Sequence, residues 1–131
     1  MEHECIFCKI ASGEIPAIKV YESGDFLAFL DIQPVADGHL LIIPKGHIVW
    51  MQNADDATVA GIFKLAKKLM TALKKAVGCD YVMVSVVGKD IQHFHVHLIP
   101  RFLDDNHPQF PIKEFKKEDA PALAEKIISA I

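Results

Sequence analysis

The sequence predicts an α+β domain: a mainly antiparallel sheet, one long helix on a face of it, and a short C-terminal helix. Two observations carry this reading. Short apolar segments of strand length lie on both sides of a single long amphipathic stretch. Gly- and Pro-containing pairs, such as Ser23-Gly24 and Asp37-Gly38, punctuate the segments as turns do. The 131 residues, about half of them hydrophobic, suffice for one core and are too few for two ordinary domains, so residues 1–131 are read as one domain. A chain of this size buries roughly two-thirds of its unfolded surface and needs no staples.

Each element has its own justification. Residues 5–13 are short and partly apolar (Ile6, Phe7, Ile10) and end at Glu14-Ile15-Pro16. Residues 17–23 and 25–32 read as two strands around a tight Ser23-Gly24 turn. Residues 39–43 are wholly apolar after His39 and stop at Pro44, as a buried central strand does. Residues 55–76 carry Val59, Ile62, Phe63, Leu65, Ala66, Leu69, Met70 and Leu73 at helical spacing. Asp55 and Asp56 suit the start of that helix, Lys74 and Lys75 its end, and Gly78 its C-cap. Lys64, Lys67 and Lys68 then form a solvated face. Residues 80–87 and 93–99 read as two further strands, and 119–130 as a closing helix with Asp119 as N-cap and Pro121 in its first turn.

The formal charge of −3 argues against non-specific coating of nucleic acid or membrane, although a few donors suffice for one phosphate group. No apolar run approaches the ~20 residues of a membrane span, and no leader pattern opens the chain. Three cysteines, two of them as Cys5-x-x-Cys8, suit a metal better than a disulfide framework, and imply a reducing cytoplasm. Cys79 reads as a small buried residue, His3 and His107 as solvated.

His93-Phe94-His95-Val96-His97 carries the strongest chemical signal. Alternation along a strand puts the three histidines on one face and Phe94, Val96 and Leu98 on the other. Three imidazoles in an otherwise apolar strand are costly without a use, which leaves metal binding or nucleophilic catalysis. Near neutral pH imidazole offers both a nucleophilic lone pair and a proton.

This pattern resembles the signature of the histidine triad family of nucleotide-binding proteins. Ile6-Phe7-Cys8-Lys9-Ile10 with Gly13-Glu14-Ile15-Pro16 is similar to the family's opening segment. Phe29-Leu30-Asp31-Ile32, Pro34, and Gly38 through Lys45 with His47 resemble its central block. The resemblance implies a HIT-like fold and a hydrolase or transferase acting at the α-phosphate of nucleoside 5′-phosphate derivatives: phosphoramidate, acyl-adenylate or dinucleoside polyphosphate. It implies His95 as the nucleophile that forms a nucleotidyl-histidine, with His97 and His39 at the phosphate. Asp31 matches the carboxylate that takes the ribose hydroxyls, and Ile6, Phe7, Ile10, Phe29 and Ile32 the residues around the base of an AMP-like purine nucleotide. Ser85 falls near a phosphate-side position. Where many members carry a Gln-Ser pair that helps the leaving group, this chain has Gly88-Lys89-Asp90-Ile91-Gln92. Lys89 and Asp90 read first as ordinary loop charges, with contact to the leaving group as the alternative.

Cys5 and Cys8 cannot close a tetrahedral zinc site alone. In some bacterial members a Cys pair is completed by two histidines, which here match His47 and His93, so the resemblance implies a structural zinc on Cys5, Cys8, His47 and His93 and no organic cofactor. It also implies a two-fold homodimer joined through the long helix and a neighbouring strand. The apolar 80–87 strand gives a physical motive, since an exposed edge of that kind invites pairing. The single-chain alternative has the C-terminal helix cover these surfaces. Two other functions compete: a nucleotide-binding regulatory protein with little turnover, and a metal-dependent hydrolase using all three triad histidines as ligands.

Overall fold

A computed structural model describes residues 4–106 and 110–131. The expectations for His3 and His107 lie outside the described residues. The elements are α1 (Ile6–Ala11), β1 (Lys19–Glu22), β2 (Phe26–Leu30), β3 (Leu40–Pro44), α2 (Asp56–Val77), β4 (Tyr81–Ser85), β5 (Val96–Arg101) and α3 (Ala120–Ala130), with a 3-10 turn at Met51–Asn53. The five strands form one antiparallel sheet in the order β1-β2-β3-β5-β4. The fold is α+β. Among the described residues no helix is long and apolar enough to cross a membrane.

Strand alternation divides the core into two halves. Ala28, Leu40, Ile42, Val96 and Leu98 face α2, whose Ile62, Leu65, Ala66, Leu69 and Leu73 are buried against them. Leu27, Phe29, Leu41 and Ile43 face the other way and pack on Phe7 and Ile10 of α1. β3 is covered on both faces, so all five of its residues are buried, and its continuous apolar run follows. Asp55 caps α2 by accepting from the Thr58 N–H at 2.8 Å, which satisfies one of the unpaired donors of the first turn. Gly78 ends it in the left-handed conformation (φ 75°), its N–H donating to the Lys74 carbonyl. Gly38 also has positive φ (87°), and a Cβ there would meet Val77 Cγ2 at 2.9 Å; only glycine lets the chain pass α2 and enter β3 with His39 at its mouth.

Three boundaries differ from expectation. Residues 5–11 contain a helix, α1, that the sequence did not mark, because six residues are too few for periodicity to register. The strand expected at 93–99 begins only at Val96 and continues to Arg101. His93 and Phe94 leave the ladder because their backbone and ring groups bond the β3–α2 loop instead: Phe94 N–H donates to the Ile48 carbonyl at 2.6 Å. The strand expected at 80–87 stops at Ser85, and Val86 and Val87 run on exposed.

β4 is an edge strand, and Val84 is 39% exposed on it. α3 buries none of its residues: Leu123, Ile127 and Ile128 are all more than half exposed. It therefore provides no cover of the kind the single-chain alternative requires.

Candidate functional site

The site lies on the α1 face of the sheet, where β3, β5 and α1 meet. Leu41, His97 and Ser85 form one cross-strand row through their register on β3, β5 and β4. His93 and His95 approach this face from just outside β5. The alternation survives there: Phe94, Val96 and Leu98 are fully buried toward α2. His95 stands edge-on to Phe7 at 5.0 Å and to His97 at 4.9 Å between ring centroids.

Backbone contacts decide which nitrogen of each ring carries the proton. A carbonyl oxygen can only accept. His95 Nδ1–H therefore donates to the His93 carbonyl at 2.7 Å, which leaves Nε2 as a bare lone pair. His93 Nε2–H donates to the Pro44 carbonyl at 2.9 Å, which leaves Nδ1 unprotonated. Val35 N–H donates to His39 Nδ1 at 3.1 Å, so His39 holds its proton on Nε2 and donates it to His97 Nδ1 at 3.0 Å. His97 is thereby left with Nε2–H as its remaining donor. Asp31 Oδ2 lies 3.5 Å from His39 Nε2, and Asp31 Oδ1 accepts from the Gln33 N–H at 2.8 Å.

This chain of bonds requires neutral rings, and burial supplies them. Desolvation holds His39 below the ordinary histidine value, against the opposing pull of Asp31. Desolvation, then the neighbouring His95 and His39, push His97 down to about 4. For both groups the folded pKa lies below the unfolded one near 6.5. The unfolded chain thus binds more protons in that interval, so stability is complete above about 6.5 and is lost as pH falls toward 4. Urea unfolding at about pH 7 and pH 4.5 tests this: His97→Gln should show a shallower loss of stability on acidification than the native chain. An equally steep loss in both would contradict the neutral-ring assignment.

A cavity of about 460 Å³ opens in front of these rings. Ile6, Phe7, Ile10, Phe29 and Ile32 form much of its apolar wall, and Asp31, His95 and His97 its polar one. Two expected site residues stand outside the wall. His39 is 3% exposed and sits behind His97, bonded to it rather than open to the cavity. Ser85 neighbours His97 through strand pairing only. Conversely, Lys89, Asp90 and Ile91 line the cavity. Nothing in their composition separated them from an ordinary loop.

Beside the cavity, one donor atom each from Cys5, Cys8, His47 and His93 lie within 4.8 Å of one another. Cys5 Sγ is 3.3 Å and Cys8 Sγ 3.6 Å from His93 Nδ1, and Cys8 Sγ is 3.2 Å from His47 Nδ1. A tetrahedral zinc with Zn–S of ~2.3 Å and Zn–N of ~2.1 Å separates S and N by roughly 3.6 Å, so the donor set suits that ion. The Pro44 carbonyl on His93 Nε2–H is the partner that turns a ligating Nδ1 toward a metal. Asp31, His39 and His97 also cluster, but His39 and His97 spend their facing nitrogens on each other. Among the described residues no such cluster joins all three triad histidines.

A HIT domain family model matches residues 12–104. The chain belongs to the HIT family. The adenosine 5′-monophosphoramidase of Schizosaccharomyces pombe is 37% identical over 137 residues, covering 97% of this chain and 98% of that protein. Among solved structures, a Streptococcus mutans protein superposes with a TM-score of 0.89 at 36% identity, over 97% of this chain and 85% of that one. A zinc-bound histidine triad family protein of Mycobacterium smegmatis does so with a TM-score of 0.77 at 30% identity, over the whole of both chains.

Proposed function

We propose that this HIT protein hydrolyses nucleoside 5′-phosphate derivatives at the α-phosphorus through a nucleotidyl-histidine on His95. One observation carries the reading: the His95 ring is tied at Nδ1 to a backbone carbonyl, and His95 lines a largely apolar cavity that Asp31 also lines. The fission yeast relative, an adenosine 5′-monophosphoramidase, supports the same substrate class.

The chemistry follows from the proton positions. His95 Nε2 forms the N–P bond as the bond to the leaving group breaks, and water then cleaves N–P and returns the ring. His97 Nε2–H, set by the bond from His39, donates to a phosphoryl oxygen as charge develops there. In that role His39 positions His97 and touches no substrate. Ile6, Phe7, Ile10, Phe29 and Ile32 enclose the base, and Asp31, an acceptor at both oxygens, takes the two hydroxyls of the ribose cis-diol. Adenosine 5′-phosphoramidate tests the reading: the expected products are AMP and ammonia. Tight AMP binding with no turnover of this or any other adenylyl derivative would point to a regulatory nucleotide-binding protein instead.

We further propose a structural zinc on Cys5, Cys8, His47 and His93, supported by the donor geometry and by the zinc-bound mycobacterial neighbour. The ion would tie α1, which carries the base-side wall, to the segment that carries the triad. Its thiol ligands suit a reducing compartment, in keeping with a cytoplasmic setting.

The unpaired edge of β4 and the uncovered apolar face of α3 support a homodimer. Light scattering at micromolar concentration should give twice the 14.6 kDa of the chain, and Val84→Lys, which puts a charge on the β4 edge, should shift it toward monomer. A native monomer would contradict this assembly.

A further inference from the structure

We propose that Lys89 reads the charge of the leaving group, so that the site favours derivatives whose leaving group is itself an oxyanion, of the sulfate or phosphate class, over those that release an amine. The inference rests on the hydrolase reading above and names its substrate class more closely.

The 86–92 loop joins β4 to the triad segment. It starts beside His97, because Ser85 pairs with His97 across β4 and β5, and it ends at His93. The nucleophile lies between those two anchors in sequence, and Lys89, Asp90 and Ile91 of the loop line the same cavity as His95. Both ends of the loop are held. Gly88 is buried at φ 72°, and a Cβ there would meet the Trp50 ring at 3.1 Å, so the chain turns under Trp50 in a conformation that glycine tolerates. Ile91 packs on the cluster around Phe7 and Phe29. Lys89 is thus an exposed residue on a pinned loop, and it lines the nucleotide cavity.

Among the described residues, Lys89 is the only lysine or arginine in that cavity wall. Asp90 also lines it, but additionally borders the separate opening beside Cys5 and His47, so it stands at the divide between the two. Displacement at phosphorus runs in line, with the leaving group opposite the attacking nitrogen. Attack from the buried His95 therefore drives the leaving group away from His95 into the cavity that Lys89 also lines. As the N–P bond forms, the P–O bond breaks and its electron pair departs on the leaving oxygen. A sulfate or phosphate leaving group carries that charge away without taking a proton, and a nearby ammonium stabilises it. A departing amine must instead be protonated, and an ammonium does nothing for it electrostatically.

The test compares kcat/KM for adenylyl sulfate, a dinucleoside polyphosphate and adenosine 5′-phosphoramidate in the native protein, Lys89→Gln, Lys89→Glu and Lys89→Arg. The expected result is that the ratio of oxyanion to amine substrates falls about tenfold in Lys89→Gln, falls further in Lys89→Glu, and largely returns in Lys89→Arg. A ratio that falls for adenylyl sulfate alone, or for the dinucleotide alone, supports the assignment and identifies which oxyanion Lys89 meets. A ratio unchanged within about twofold in Lys89→Glu overturns it. So does an equal fall for all three substrates with weakened AMP binding, which would put Lys89 on the α-phosphate. If the native protein turns over none of the three, the hydrolase reading fails and this assignment fails with it; turnover without a Lys89 effect overturns the assignment alone.

Discussion

Replacing His95 with Asn should lower kcat by about 10⁴-fold or more while AMP affinity stays within a few-fold of the native value. The size of the first effect follows from removing a nucleophile, since what remains is binding and electrostatic stabilisation alone. The constancy of the second follows from the geometry. The cavity wall that would hold base and sugar is made by Ile6, Phe7 and Ile10 of α1, Phe29 of β2 and Asp31 just after it, elements separate from the segment that carries His95. His95 contributes mainly in the transition state, so its loss should appear in kcat rather than in ground-state binding. Asn keeps a side-chain donor that can reach the His93 carbonyl, which separates loss of the nucleophile from loss of the local bond. His95→Asn with near-native turnover would place the nucleophile elsewhere.

The second large effect concerns the metal. Native protein should carry about one zinc per chain, and Cys5→Ser should abolish it and lower the melting temperature by about 10 °C. The estimate combines two relations. A ligand at about a hundred times its dissociation constant stabilises the fold by about 2.7 kcal/mol. In a domain of this size each kcal/mol moves the midpoint by roughly 4 °C. The consequence should reach the catalytic face, because His93 offers its Nδ1 to the metal cluster and its carbonyl to His95, while Phe7 sits between Cys5 and Cys8 and packs on both His93 and His95. Cys5→Ser should therefore also weaken AMP binding. Metal analysis that finds no zinc, together with an unchanged melting temperature in Cys5→Ser, would remove the ion from the account.

What the sequence revealed followed local rules. Alternation placed Phe94, Val96 and Leu98 against the α2 core, and the apolar run after His39 marked β3 as buried on both faces. The caps of α2, Asp55 and Gly78, were legible because capping depends on the residue itself. What it concealed depended on the third dimension. The start of β5 shifted because Phe94 bonds to the Ile48 carbonyl, a partner 46 positions earlier that no local pattern encodes. His39 was expected at the phosphate; in the structure it is buried and bonded through Nε2 to His97 Nδ1, a contact between residues 58 positions apart that no local pattern encodes. Lys89 read first as a loop charge, with contact to the leaving group as the alternative, and its place in the cavity wall depends on how the loop after β4 runs. The cysteine pair and two histidines were proposed as a set by resemblance, and the fold brings their donor atoms together across 88 positions of chain.

The central claim is that His95 Nε2 becomes covalently bonded to the nucleotide, and trapping that bond tests it most directly. The native protein would be mixed briefly with excess adenosine 5′-phosphoramidate or adenylyl sulfate, then quenched in base, where a phosphorus–imidazole bond survives better than in acid, and digested for peptide mass mapping. The account predicts one adenylyl group on the peptide containing His95, formed and lost on the timescale of turnover and absent from His95→Asn. Rapid turnover with no adduct at any quench time, or an adenylyl group on a different residue, would contradict it.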